Sequence, residues 1–165
     1  MSGLHDGRRM PDRTGLLTPD HGRSCRWTGR LDTVPRNAAA PSRTRLARSG
    51  ERLAAAHLAD VHGLDILVLN HRIAIEDLRG ELDVVALDRR SRLLVVCEVK
   101  ARSGRTTGGA VTALGVRQQA RIRRMTAVML ATTTLRASGV RFDLVAVDVT
   151  GSDGRAEFVH LPGAW

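Results

Sequence analysis

Residues 80–100 read GELDVVALDRRSRLLVVCEVK. Two largely apolar runs, 80–88 and 93–100, flank the polar tetrapeptide RRSR at 89–92, which reads as two strands closed into an antiparallel hairpin. Side chains alternate along a strand, so Glu98 and Lys100 share a face with Val96 while Cys97 and Val99 point the other way. On the first strand Asp83 goes with Glu81 and Val85, and Leu82 and Val84 are expected on the apolar, core-facing side. The hairpin then sets Asp83 beside Glu98. Two carboxylates at strand ends with no apolar company are costly unless a cation or a lysine compensates them. Mg²⁺ does so through hard oxygen ligands while keeping several waters. Lys100 beside such a pair would hold an attacking water or stabilise charge on a phosphate oxygen. Spacing alone also admits a solvent-facing Glu98–Lys100 ion pair at a strand end.

Outward from the hairpin, Leu46, Leu53, Ala54, His57, Leu58 and Val61 recur at helical spacing, which predicts a helix over 45–62 stopped by Gly63. Residues 65–71 (DILVLNH) read as a strand, and 73–78 as either its extension or a loop. Downstream, 102–109 (RSGRTTGG) reads as a loop. A helix is expected over 116–136, with Ile122, Met125 and Met129 on one face and Gly139 ending it. Strands follow at 141–149 and 156–161, around a GSDG turn at 151–154. The order α-β-β-β-α-β-β implies an α/β domain with a mixed central sheet and a helix on each side.

The chain has 165 residues, enough for one domain, with 26 basic and 17 acidic residues and a net charge of +9. Lys100 is the lone lysine among arginines. Such basicity points to a polyanionic partner, nucleic acid before membrane. Aromatic content of 2% argues against a single-strand binder that stacks bases on aromatic platforms. Residues 1–42 hold four of the five prolines and show no helical or strand period. They read as a disordered Arg/Pro-rich arm, or as the product of a start codon assigned too far upstream, outside a domain spanning 43–165. Cys25 and Cys97 make no zinc spacing, and no apolar run is long enough for a signal or a membrane span. A cytoplasmic protein with free thiols is the expectation. His57 and His62 are five apart, off the i, i+4 spacing of helical metal ligands, and read as packing or surface residues. There is no P-loop, no G-x-S-x-G elbow and no zinc-deaminase signature.

An Asp followed about fifteen residues later by Glu-x-Lys resembles the PD-(D/E)xK nuclease superfamily, with its restriction-endonuclease-like fold. Closer still is the likeness to the YraN family of small, endonuclease-like bacterial proteins. It is carried by Gly50-Glu51 before an Ala-rich helix, Asn70 to Arg72 (NHR), Gly80 to Asp83 (GELD), Val96 to Arg102 (VCEVKAR), Gly108-Gly109 and Val140 to Val145 (VRFDLV). The shared order of these motifs over roughly 46–149 makes the resemblance specific. It implies Asp83 and Glu98 as metal ligands, Lys100 as the catalytic lysine and Glu51 as a further ligand from the first helix, where the residue alone reads rather as a capping or surface acid. The implied cofactor is Mg²⁺ or Mn²⁺, and the implied reaction is hydrolysis of DNA phosphodiesters, in duplex or branched DNA.

Arg117, Arg121 and Arg124 form a basic stripe which, with Arg102 and Arg105, is a candidate phosphate-binding surface or simply a solvated helix face. Gln118 stands where the family commonly has a lysine and shares the helical face of Ile122 and Met125, so it should point at the sheet. That departure sustains a second expectation, a nucleic-acid- or partner-binding protein that keeps the nuclease fold without turnover. A homodimer is left open.

Overall fold

The computed structural model describes residues 25–30, 43–103, 114–149 and 155–165. In chain order these form β1 (Cys25–Arg30), α1 (Arg43–Asp60), β2 (Asp65–Ile75), β3 (Leu78–Asp88), β4 (Leu93–Ser103), α2 (Val116–Thr132), β5 (Gly139–Val149) and β6 (Arg155–Leu161). The strands make one six-stranded sheet in the order β1-β6-β5-β4-β3-β2. Neighbours run antiparallel except β4 and β5, which are parallel and joined through α2. The mixed α/β architecture expected from the sequence is the one that forms. No described helix is long and apolar enough to cross a membrane.

Alternation in the strands gives the sheet two apolar faces, and each helix covers one. α1 lays Leu46, Ala54 and Leu58 against Val84, Val95, Cys97, Val145 and Phe158. α2 lays Ile122, Met125 and Met129 against Leu82, Val85, Leu94, Val96 and Leu144. Each such side chain contributes about 1.5–3 kcal/mol when fully buried. α1 ends as its sequence suggests: Gly63 takes φ +64, and its N–H returns to the Ala59 carbonyl at 3.1 Å.

Three expectations change. The undecided stretch 73–78 is a hairpin, with Ile75 paired to Leu78 across a Glu76-Asp77 turn. α2 stops at Thr132, four residues short of Arg136, and Gly139 opens β5 instead of closing the helix. Thr132, Thr133 and Thr134 explain the early stop: β-branched residues favour extended backbone, and Thr133 caps the helix at φ −117, ψ 160. Finally, the arm at 1–42 was expected to supply no strand, yet Cys25–Arg30 pairs along β6, from Cys25 opposite His160 to Arg30 opposite Arg155. The rest of the arm and the loop carrying Arg105 lie outside the described residues. The sequence reading, in which the arm adds nothing to the domain, would let a chain starting near Ser42 melt within about a degree or two of full length. With β1 in the sheet, deleting 1–42 strips β6 of its outer neighbour and is expected to lower the melting midpoint by about 3–6 °C, read by calorimetry on both chains.

Candidate active site

The alternation expected of β3 fails at Asp83. Leu82 and Val85 both pack under α2, whereas Val84 faces α1, so Leu82 and Val84 lie on opposite faces rather than one. The β2–β3 register passes through Leu69–Val84 and His71–Leu82 but skips Asn70 and Asp83. Asn70 takes φ +54, a conformation asparagine tolerates better than most residues. The two strands therefore switch faces together at this point.

At the same level β3 leaves β4. Their pairing ends at Val84–Cys97. Beyond it β4 continues against β5 alone, from Glu98 opposite Leu144 to Ser103 opposite Val149, while the other half of β3 stays with β2. The Val99 N–H that a β3 carbonyl would have taken is bound by the Asp83 carboxylate instead, at 2.8 Å. Asp83 and Glu98 thus stand where the two strands part, near enough for their charges to interact, and the gap between those strands is the cleft.

Glu98 is buried, and its Oε1 accepts from Lys100 Nζ at 2.5 Å and from Gln118 Nε2 at 3.0 Å. Gln118, in the first turn of α2, points at the sheet as expected. Glu51 arrives from α1 by a different route. A Cβ on Gly50 would lie 3.2 Å from the Ala101 Cβ and 3.6 Å from Val99, so the missing side chain lets α1 press onto β4 beside the cleft. Glu51 is then buried, and its Oε2 has no hydrogen-bond partner. Gly50→Val should overpack this contact and cost about 1–3 kcal/mol, visible as a lower denaturation midpoint.

Burial raises the Asp83 carboxyl to about 7; the Glu98 and Glu51 charges raise it too, while the Val99 N–H and Lys100 pull it down. Asp83, Glu98, Glu51 and Lys100 are therefore electrostatic neighbours, as the sequence placed them. The three carboxylates do not close into one tight ligand set, since Asp83 Oδ2 is held by Val99 and Glu98 Oε1 by Lys100 and Gln118. The donor chemistry nonetheless fits a hard divalent cation. Mg²⁺ needs only one or two protein carboxylates besides water, and an unpartnered buried carboxylate oxygen beside a carboxyl pushed up to about 7 marks uncompensated negative charge.

The arginine stripe divides. Arg117 is exposed at the cleft end of α2, next to Gln118. Arg121 and Arg124 are directed at the β2–β3 hairpin: Arg121 Nη2 donates to the Arg79 carbonyl and lies where a Gly80 Cβ would stand, and Arg124 pairs with Asp77 at 3.3 Å. Of the Arg102 side chain and of Arg105 the described residues give no account.

A second polar cluster was missed in the sequence. His57 of α1, His62 after it and His160 of β6 bring their rings together, and His160 is bonded to Asp143 of β5. The available signal was a polar residue amid alternating apolar ones in each strand: Asp143 in FDLVAV and His160 in FVHL.

Comparison with known proteins matches residues 50–147 to the model of a family described as "Uncharacterised protein family UPF0102". A UPF0102 protein of Frankia casuarinae is 45% identical over 120 residues, covering 73% of this chain and 95% of the relative. UPF0102 proteins of Mycolicibacterium smegmatis (38% over 122 residues, 74% and 94% covered) and Mycobacterium tuberculosis H37Rv (39% over 124 residues, 74% and 93% covered) are similar in the same way.

Proposed function

The chain belongs to the UPF0102 family, and we propose that within it this protein is a metal-dependent endonuclease of the PD-(D/E)xK kind, hydrolysing DNA phosphodiesters. One observation carries the reading. Where β3 and β4 diverge, Asp83 and Glu98 are electrostatic neighbours of Glu51, whose buried Oε2 has no hydrogen-bond partner among the described residues, and the chain's one lysine is bonded to Glu98. Asp83 and Glu98 would hold Mg²⁺ or Mn²⁺, with Glu51 as a further carboxylate donor. Such an ion, when bound, supplies Lewis acidity toward a phosphodiester oxygen and lowers the pKa of a bound water.

The chain's own residues do the rest. Val99 N–H fixes one Asp83 oxygen and leaves the other to the cleft. Gln118 orients Glu98 by its amide without adding charge. Lys100, part exposed beside Glu98, is placed to donate to a phosphate oxygen or orient a water as substrate enters. Arg117 is the described member of the stripe best sited to meet the DNA backbone; Arg121 and Arg124 would have to leave Arg79 and Asp77 to do so.

The expected result in a Mn²⁺-dependent assay on duplex, flap and junction DNA is cleavage of at least one substrate, abolished by chelation. Cleavage of none would overturn the nuclease reading. A second reading, a nucleic-acid- or partner-binding protein without turnover, is favoured by one feature: Lys100 and Gln118 both occupy Glu98 Oε1, an ion pair closed by a neutral residue where the resembling family has a lysine. DNA binding without cleavage would select it.

A further inference from the structure

On the α1 face of the sheet, three imidazoles meet. His57 Nε2 lies 3.2 Å from His62 Nε2, which lies 3.1 Å from His160 Nδ1. All three nitrogens fall within 4.8 Å of one another. His57 and His160 are buried and His62 is exposed.

The protons do not suffice for these contacts. His160 Nε2 faces Asp143 Oδ2 at 3.0 Å, so Nε2 carries the hydrogen and Nδ1 turns a lone pair toward the other two rings. With all three rings neutral, His62 Nε2 is either a donor or an acceptor. As a donor it serves one neighbour only; as an acceptor it meets the His160 lone pair head on. Either way one of the two short contacts has no fitting proton. A cation among the three nitrogens satisfies all of them at once. A four-coordinate ion about 2.0–2.1 Å from each nitrogen sets adjacent nitrogens roughly 3.3 Å apart, close to the His57–His62 and His62–His160 spacings, so that binding needs only His57 and His160 to draw together.

The surroundings match a metal-bound histidine. Asp143 bonded to the far nitrogen of His160 is the carboxylate–imidazole arrangement that fixes tautomer and ring orientation. Asp143 is itself held by Arg141 through two bonds, at 2.9 and 2.8 Å, and by the Gly163 N–H at 2.9 Å. Burial alone would raise this carboxyl, but the bonds from His160, Arg141 and Gly163 bring it below the usual range, so it stays charged between the Arg141 guanidinium and the rings.

We propose that His57, His62 and His160 form a binding site for a borderline divalent ion of the zinc class, which ties the end of α1 to β6 and leaves a fourth position open on the exposed His62 side. Imidazole nitrogen is the donor such ions prefer, whereas the carboxylate cleft suits Mg²⁺ or Mn²⁺. The site does not depend on the nuclease reading.

The test uses full-length protein stripped with chelator, titrated with Zn²⁺ against a colorimetric chelator, and with Co²⁺ followed by its visible absorption. The expected result is one ion per chain, a Co²⁺ spectrum of tetrahedral type, and a melting point raised by several degrees. His62→Gln, at an exposed position, should fold and bind Zn²⁺ at least about 10–100-fold more weakly. Glu98→Gln should bind Zn²⁺ as wild type does, which separates this site from the cleft. Absence of Zn²⁺ binding in wild type, or equal affinity in His62→Gln, would overturn the proposal.

Discussion

Lys100→Met is expected to reduce Mn²⁺-dependent DNA cleavage by about 10²–10³-fold, the loss typical of removing one preorganised charge-stabilising donor. The same variant should keep its thermal response to metal, because an ammonium is not a ligand and every carboxylate oxygen remains. It also strips the buried Glu98 of its bonded cation. Metal-free Lys100→Met should therefore melt below wild type. Measured side by side, single-turnover cleavage and melting curves with and without Mn²⁺ separate a lysine that acts on substrate from one that only neutralises Glu98. Full cleavage by Lys100→Met would assign Lys100 to the second role.

The other large effect is on stability. Asp83 ionises at about 7 in the fold against 3.8 ordinarily, through burial and then the charge of Glu98. A raised folded-state pKa favours the native state only while the group is protonated. Relative to pH 4, the metal-free protein should lose stability as pH climbs from about 4 to about 7, with little further loss from this group above that. Asp83→Asn removes the charge yet keeps an oxygen for the Val99 N–H. In chelator at pH 8 it should be more stable than wild type by up to about 4 kcal/mol, roughly 10 °C in melting midpoint, and indistinguishable from it near pH 4. Equal melting at pH 8 would show that Asp83 does not sit among competing charges.

The grouping of Asp83, Glu98 and Lys100 was legible because strand alternation and hairpin length are local rules. They suffice to put Asp83 opposite Glu98 and Lys100 on the Glu98 face, and helical periodicity suffices to turn Gln118 inward. The face switch at Asp83 was not legible, since it depends on one positive φ at Asn70 of the neighbouring strand. The length of α2 was misjudged because its apolar period runs on past Thr132 into residues that favour extended backbone. β1 carries no apolar alternation in CRWTGR; it is a strand by virtue of an open edge on β6, which is a property of the assembled sheet. The histidine cluster joins residues up to 103 positions apart, across α1 and β6, a span that no spacing rule connects.

On the proposed reading, the carboxylates at the divergence of β3 and β4 hold a hard divalent cation. Calorimetric titration of Mn²⁺ into chelator-stripped wild type and Glu98→Gln tests it most directly, with Mg²⁺ as competitor. Wild type is expected to show a binding event that Mg²⁺ displaces and Glu98→Gln lacks. Identical isotherms for the two proteins, or no binding by either, would contradict it.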